Sequence, residues 1–138
     1  MVDTLKAAMA VSTSGIAAQT LRIRVISENI ANSSVTADTS QGDPYQRKTV
    51  SFSSQVDRVN GVTGVKINSV NSTLGQYTQV FDPNHVAADE NGMVKMPKVD
   101  VMMEMADMRE TVRSYQANVQ AVRQARELIS MTIDMMRG

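Results

Sequence analysis

The sequence predicts a mainly α protein with a small β part, in which long N- and C-terminal heptad helices pair as a coiled coil. Three observations support this fold class. Both ends of the 138-residue chain carry apolar residues at alternating steps of three and four, the middle does not, and the middle instead shows short strand patterns between turn signals. A repeat averaging about 3.5 residues keeps one narrow stripe facing a partner helix. We therefore predict helical segments at residues 1–32 and 99–138 around a strand and loop segment at residues 33–98.

The first helix is predicted from Asp3 to Ala31, with Asp3 as its cap. Its apolar stripe runs from Val2 to Ile30, with Ser12 and Gln19 as the exceptions. A glycine inside a helix costs about 1 kcal/mol relative to alanine, so Gly15 marks either a soft point or a close helix crossing. The asparagines near residue 30 are predicted to close the helix, because asparagine tolerates the left-handed turn at helix ends.

The central segment contains short strand patterns and few large apolar residues. Strands are predicted at about residues 45–52, 61–70 and 76–81, and a further short element follows the tight-turn signal Asn91-Gly92 and ends at Pro97. A segment of short strands and polar loops with so few large apolar residues buries too little surface to be stable alone. We therefore expect the segment to lean on the helices or on a neighbouring molecule.

The second helix is predicted from about Val101 to Met136, capped by Asp100. Its stripe is interrupted only by Arg126. Two interpretations of Arg126 stay open: its stem packs while its head reaches water, or it meets an acceptor on another subunit and fixes register. Nine of the eleven methionines lie between Met93 and Met136. They either fill the core beside an amphipathic helix or line a surface that fits several neighbours.

The sequence offers little for catalysis or for metal binding. Cysteine is absent, and the single histidine, His85, lies near Asp82, Asp89 and Glu90 in a polar loop. We interpret this loop as a solvated turn, and predict no enzyme activity, no metal and no cofactor. Fourteen basic residues balance fourteen acidic ones, so neither nucleic acid nor an anionic membrane is an expected partner. No general secretory signal or membrane-spanning segment is visible.

The run SENIANSSVT at the end of the first helix resembles the signature of bacterial flagellar axial proteins, which include rod, hook and hook-associated subunits. Asn29, Ala31 and Asn32 match it, and Ile30 replaces the usual leucine. The stretches at residues 44–52, 82–105 and 113–120 narrow the resemblance to the proximal rod members of the flagellar basal body. This chain differs from the usual residues of those members at three positions, with Val86 in place of proline, Met93 in place of an aromatic residue and Lys98 in place of asparagine.

The resemblance implies a structural subunit of the proximal rod that assembles helically and transmits torque in motility. It also implies export through the flagellar type III apparatus without a cleaved signal peptide, and a place in the rod that spans the periplasm. Its partners would be other copies of itself and other rod and basal-body proteins, with no small-molecule substrate and no membrane insertion. The alternative hypothesis is a soluble coiled-coil adaptor or export chaperone that forms a discrete oligomer.

On the first hypothesis, the two stripes and three nearby asparagines form the interface between subunits. The predicted interface residues are Leu5, Met9, Ile16, Ile23, Ile26, Asn29, Ile30, Asn32, Met105, Met108, Val112, Tyr115, Asn118, Val119, Val122, Arg126, Ile129, Ile133 and Met136.

Overall fold

A computed structural model describes residues 1–138 and confirms a mainly α protein with a small β part. Two long helices lie at the ends of the chain and two two-stranded sheets, β1 with β2 and β3 with β4, lie between them. The elements in chain order are α1 (Val2–Ala31), β1 (Lys48–Asp57), β2 (Val62–Ser72), β3 (Tyr77–Phe81), β4 (Met93–Pro97) and α2 (Val101–Arg137). Neither helix is long and apolar enough to cross a membrane.

The ends of α1 differ from the sequence prediction. The helix begins at Val2, so Asp3 lies in the first turn and complements the helix dipole rather than capping it. No residue other than glycine has a positive φ, so the prediction that an asparagine in the left-handed conformation ends α1 is wrong. Instead, the Asn32 side chain donates to the Glu28 carbonyl at 2.8 Å, and the Asn32 N–H donates to the same oxygen at 3.0 Å. This side-chain bond satisfies the helix end without a left-handed residue.

The predicted cap of α2 is confirmed. Asp100 Oδ1 accepts hydrogen bonds from the N–H groups of Met102, at 3.0 Å, and Met103, at 3.3 Å. A helix leaves its first N–H groups without partners inside the helix, and a side-chain cap of this kind typically contributes about 1 kcal/mol. Asp100 therefore fixes where the 37-residue helix begins.

The chain divides into two compact units. Unit 1 consists of Met1–Ile23, Ser51–Ser69 and Arg109–Gly138, and unit 2 consists of Arg24–Val50 and Val70–Met108. Each unit takes a part of both helices and a part of the central segment.

In unit 1 the two helices and the β1–β2 hairpin meet at small residues. A Cβ added to Gly15 would lie 2.7 Å from Nδ2 of Asn118, so of the two interpretations of Gly15 the close helix crossing is confirmed. The hairpin is fixed to α1 by Ser14, whose Oγ accepts a hydrogen bond from the Val65 N–H at 3.0 Å. A Cβ on Gly64 would lie 3.0 Å from that oxygen. Glycines at both places therefore allow the segments to approach.

In unit 2 the antiparallel strands β3 and β4 pair from Tyr77 with Pro97 to Phe81 with Met93. The loop between them is closed by Asp89, whose Oδ1 accepts from the Asn91 N–H at 2.9 Å and the Met93 N–H at 2.8 Å. Val94 of β4 is buried, whereas every residue of β3 is exposed. The core of this unit also contains Val25 and Ile26 of α1.

Candidate interaction surface

The most buried column of α2 is polar or small, which the apolar pattern did not predict. Glu104, Thr111 and Ala125 are buried, and Asn118, which contacts Gly15, shares their seven-residue spacing. The predicted stripe positions at residues 101, 108, 115, 122 and 129 lie beside this column and are half-buried. We call residues 104, 111, 118 and 125 the inner column of α2.

The other half of the predicted stripe consists of residues that directly follow the inner column, or its seven-residue continuation, in sequence. Met105 and Ile133 are each 44% exposed and Arg126 is exposed. Val112 and Val119 are half-buried. We call residues 105, 112, 119, 126 and 133 the outer column of α2. One residue corresponds to about 100° of rotation around a helix, so the outer column presents apolar side chains away from the inner one.

The same separation is visible on α1. Ala18, Val25 and Asn29 are buried at a spacing of seven and four, and of the predicted stripe only Ile26 is fully buried. The other predicted interface residues of this helix are half-buried, namely Leu5, Met9, Ile16, Ile23 and Ile30. The innermost residues of this helix therefore combine the apolar Val25 and Ile26 with the small Ala18 and the polar Asn29.

The methionines of α2 are largely at the surface. Six of the seven are exposed, namely Met102, Met103, Met105, Met131, Met135 and Met136. They do not fill the interior of this chain. Of the two interpretations of the methionine-rich sequence, the arrangement favours a surface that fits other molecules.

Asn29 lies at the centre of a buried polar cluster within unit 2. Only 1% of its surface is exposed. Its Nδ2 donates to the Lys48 carbonyl at 2.9 Å and to Glu104 Oε2 at 3.2 Å. Its Oδ1 accepts from the Lys48 N–H and from the Tyr45 hydroxyl, both at 2.9 Å. One side chain thus joins α1 to β1 and to the first turn of α2.

The Glu104 carboxylate of this cluster is also buried, at 1% exposure. It is paired with Arg47, whose Nε donates to Oε1 at 2.5 Å. A neighbouring pair joins Lys48 Nζ to Glu28 Oε2 at 2.8 Å, but both side chains are more than a third exposed. The hydrogen bond to Glu28 raises the pKa of the Lys48 ammonium. Only the first of these two pairs places a charge in the interior.

The Tyr45 hydroxyl gives the cluster a pH dependence. Burial raises the pKa of this phenol above its ordinary value of 10.0. The Lys48 ammonium acts in the opposite direction and lowers the pKa, whereas the Glu28 and Glu104 carboxylates raise it. A raised pKa in the folded state means that the phenol stabilises the fold below pH 10 and that this contribution is lost as the pH rises through the folded-state pKa.

We therefore expect Tyr45→Phe to lower the free energy of unfolding by about 1 kcal/mol at pH 8, the contribution of one hydrogen bond. The difference between the variant and the parent should shrink above pH 10. Urea unfolding between pH 8 and pH 11 tests this. A difference that stays constant across that range would show that the Tyr45 phenol does not titrate with folding.

His85 is occupied by its own loop. Its Nδ1 accepts a hydrogen bond from the Ala87 N–H at 3.0 Å. No group of three or more histidine, cysteine, aspartate or glutamate side chains converges on a position that could hold a metal ion. The loop is an ordered turn between β3 and β4.

Comparison with known proteins places this chain in the class of flagellar rod proteins. The family described as "Flagellar basal body rod FlgEFG protein C-terminal" matches residues 90–135, which include most of α2.

Several proteins named "Flagellar basal-body rod protein FlgC" match nearly the whole chain. The protein from Agrobacterium fabrum is 50% identical over 99% of both chains. The protein from Salmonella typhimurium is 39% identical over 88% of this chain and 90% of its own. The one from Bacillus subtilis is 31% identical over 91% of this chain and 93% of its own. The chain therefore belongs to the FlgC family of flagellar basal-body rod proteins, which are structural proteins and not enzymes.

The family assignment settles the choice between the two functional hypotheses. The chain is a structural subunit of the flagellar basal-body rod and associates with other rod and basal-body proteins. The adaptor or export chaperone hypothesis is not supported by these relatives.

Proposed function

We propose that this chain is a subunit of the proximal rod that assembles helically with copies of itself and with other rod proteins to transmit torque. The observation that supports this role is the outer column of α2, where Met105 and Ile133 remain exposed in the single chain. Fully burying a side chain of this kind contributes roughly 1.5–3 kcal/mol. A rod that carries torque depends on many such contacts at once, and on no turnover chemistry.

The proposed interface contains the outer column and the predicted stripe residues of both helices. Within unit 2, the polar cluster around Asn29 joins α1 to β1 and to the first turn of α2. The central segment, residues 33–98, then makes lateral contacts on the outside of the two helical segments. Its exposed β3 strand is the kind of surface that a neighbouring subunit would cover.

The subunit is proposed to reach the rod through the flagellar type III apparatus, without a cleaved signal peptide, and to lie in the part of the rod that spans the periplasm. The subunit would assemble through three segments, namely the helical segments at residues 1–32 and 99–138 and the central segment at residues 33–98. Nucleic acid and small-molecule substrates have no place in this function. Direct insertion into the membrane has none either.

The substitution Ile133→Asp tests the proposed interface. Because Ile133 is 44% exposed, the isolated variant should unfold within about 0.5 kcal/mol of the parent, as surface substitutions usually do. In the rod, each copy would bury an unpaired charge, so incorporation into basal bodies and swimming should fall at least tenfold. Gln116→Asp makes the same charge change at an exposed position outside the stripe and should leave both unchanged. Normal rods containing Ile133→Asp would contradict the proposed interface.

A further inference from the structure

The chain contains two Asn-Gly sequences, and each lies in a turn of the central segment. Asn60-Gly61 lies between β1 and β2, and Asn91-Gly92 immediately precedes β4. An Asn-Gly sequence is prone to deamidation, because glycine has no Cβ to obstruct attack by its own backbone nitrogen on the asparagine side chain. The dipeptide alone makes the two asparagines equally reactive, so any difference between them must come from the fold.

Gly92 is enclosed by its own loop. The residue is buried, and a Cβ added to it would lie 2.9 Å from Cε2 of Phe81. Its N–H donates to the Asp89 carbonyl at 2.9 Å, and its carbonyl oxygen accepts from the Asp82 N–H at 2.9 Å. Because both backbone groups of Gly92 are bonded and a side chain covers the residue, its nitrogen cannot turn toward the Asn91 side chain unless the whole loop opens.

Gly61 is open to solvent. The residue is exposed and has a φ of 66°, and a Cβ added to it would have nothing within 4 Å beyond the adjacent residues. Its N–H donates to the Asp57 carbonyl at 2.8 Å, and Val59 in the same turn is 91% exposed. Amides held only by exposed hydrogen bonds open locally at little cost in free energy. The Gly61 nitrogen can therefore reach both hydroxide and the Asn60 side chain through local opening of one turn.

Deamidation of Asn60 would also change the turn itself. Asp57 Oδ2 accepts a hydrogen bond from Asn60 Nδ2 at 2.7 Å, and its Oδ1 accepts from the Val59 N–H at 2.9 Å. The Val59 N–H and then the Asn60 side chain lower the pKa of the Asp57 carboxyl, which is therefore ionised at neutral pH. A carboxylate at position 60 could not donate this hydrogen bond and would be repelled by the neighbouring negative charge.

We propose that Asn60 is a site of spontaneous deamidation in the folded chain, and that the fold protects Asn91 from the same reaction. Hydroxide removes the proton of the Gly61 N–H, and the nitrogen attacks Cγ of Asn60. The Cγ–Nδ2 bond then breaks, and Nδ2 takes a proton from water and leaves as ammonia. A water molecule opens the resulting succinimide ring at either carbonyl, which gives aspartate or isoaspartate. The overall reaction consumes one water molecule and needs no oxidant, reductant or enzyme.

Peptide mapping by mass spectrometry tests this proposal, with Asn91 as the control in the same molecule. The purified chain is incubated in mildly alkaline buffer with and without denaturant, and the deamidated fraction at each asparagine is followed with time. Without denaturant, we expect Asn60 to deamidate at least tenfold faster than Asn91. In denaturant the two rates should agree within threefold, because both asparagines precede glycine. Equal rates in the folded chain, or a tenfold difference that persists in denaturant, would overturn the proposal.

Two further measurements test the physical cause. Amide hydrogen exchange of the folded chain should be at least tenfold faster at Gly61 than at Gly92, and the opposite order would overturn the proposal. The substitution Asp89→Ala removes the side chain whose Oδ1 accepts from the Asn91 and Met93 N–H groups. It should raise the deamidation rate of Asn91 at least fivefold and leave that of Asn60 unchanged. An unchanged rate at Asn91 would contradict protection by this loop.

Discussion

Replacing Asn29 with alanine is expected to lower the free energy of unfolding by about 3 kcal/mol, because the part-buried backbone groups of Lys48 and the buried Glu104 carboxylate lose a partner. The side chain is 1% exposed and makes four hydrogen bonds, two of them to Lys48 and one each to Tyr45 and Glu104. Alanine has no polar side-chain atom and cannot replace any of these hydrogen bonds. Urea unfolding at neutral pH measures the change.

Asn32 provides a matched control three residues along the same helix end. Its Nδ2 makes one hydrogen bond, to the Glu28 carbonyl, and the side chain is only half-buried. Asn32→Ala should therefore cost about 1 kcal/mol or less. Equal losses for the two substitutions would contradict the central position of Asn29 in the polar cluster.

The second large effect is expected from Arg47→Met. It leaves the Glu104 carboxylate buried without its cationic partner, and breaking a buried ion pair from one side typically costs about 3–5 kcal/mol. The Lys48 and Glu28 pair provides the comparison, since both side chains are more than a third exposed. Lys48→Met should therefore cost only a small fraction of the loss caused by Arg47→Met, because water screens an exposed pair. Urea unfolding of both variants at neutral pH measures the difference.

A double-mutant cycle separates the ion pair from other effects of Arg47. Combining Arg47→Met with Glu104→Met removes both charges from the interior, and a matched apolar pair is often as stable as the ion pair that it replaces. We therefore expect the double variant to regain most of the stability that Arg47→Met loses. Additive losses would show that Arg47 acts through contacts other than Glu104.

The helices could be predicted from sequence because their repeat extends over many turns. The bounds of α2 and its cap at Asp100 agree with the prediction. The strands were found at the predicted places, although β1 begins at Lys48 rather than near Tyr45 and extends to Asp57. Tyr45 precedes β1 because its side chain bonds Asn29 and its N–H bonds the Val35 carbonyl.

The orientation of the helices could not be predicted from apolar spacing alone. The predicted stripe and the half-buried face of α2 share positions 101, 108, 115, 122 and 129. The inner column next to these positions contains Glu104, Thr111 and Asn118. Hydrophobic periodicity gives no weight to such residues. Their burial depends on partners distant in sequence, such as Arg47 for Glu104 and Gly15 for Asn118.

The contact between α1 and the β1–β2 hairpin could not be predicted from sequence for the same reason. It depends on a hydrogen bond between Ser14 and Val65, which are 51 residues apart. Glycine at position 64 leaves room for that approach, since an added Cβ would lie 3.0 Å from the Ser14 oxygen. A serine in a helical pattern and a glycine in a strand pattern give no sign that they meet.

Methionine oxidation tests most directly whether the exposed apolar side chains of α2 are assembly contacts. Isolated protein and purified basal bodies are treated with dilute hydrogen peroxide, and the sulfoxide at each methionine is measured by mass spectrometry. Met105, which belongs to the outer column, should react readily in the isolated chain and at least tenfold more slowly in the rod. Equal oxidation of Met105 in both samples would contradict the account.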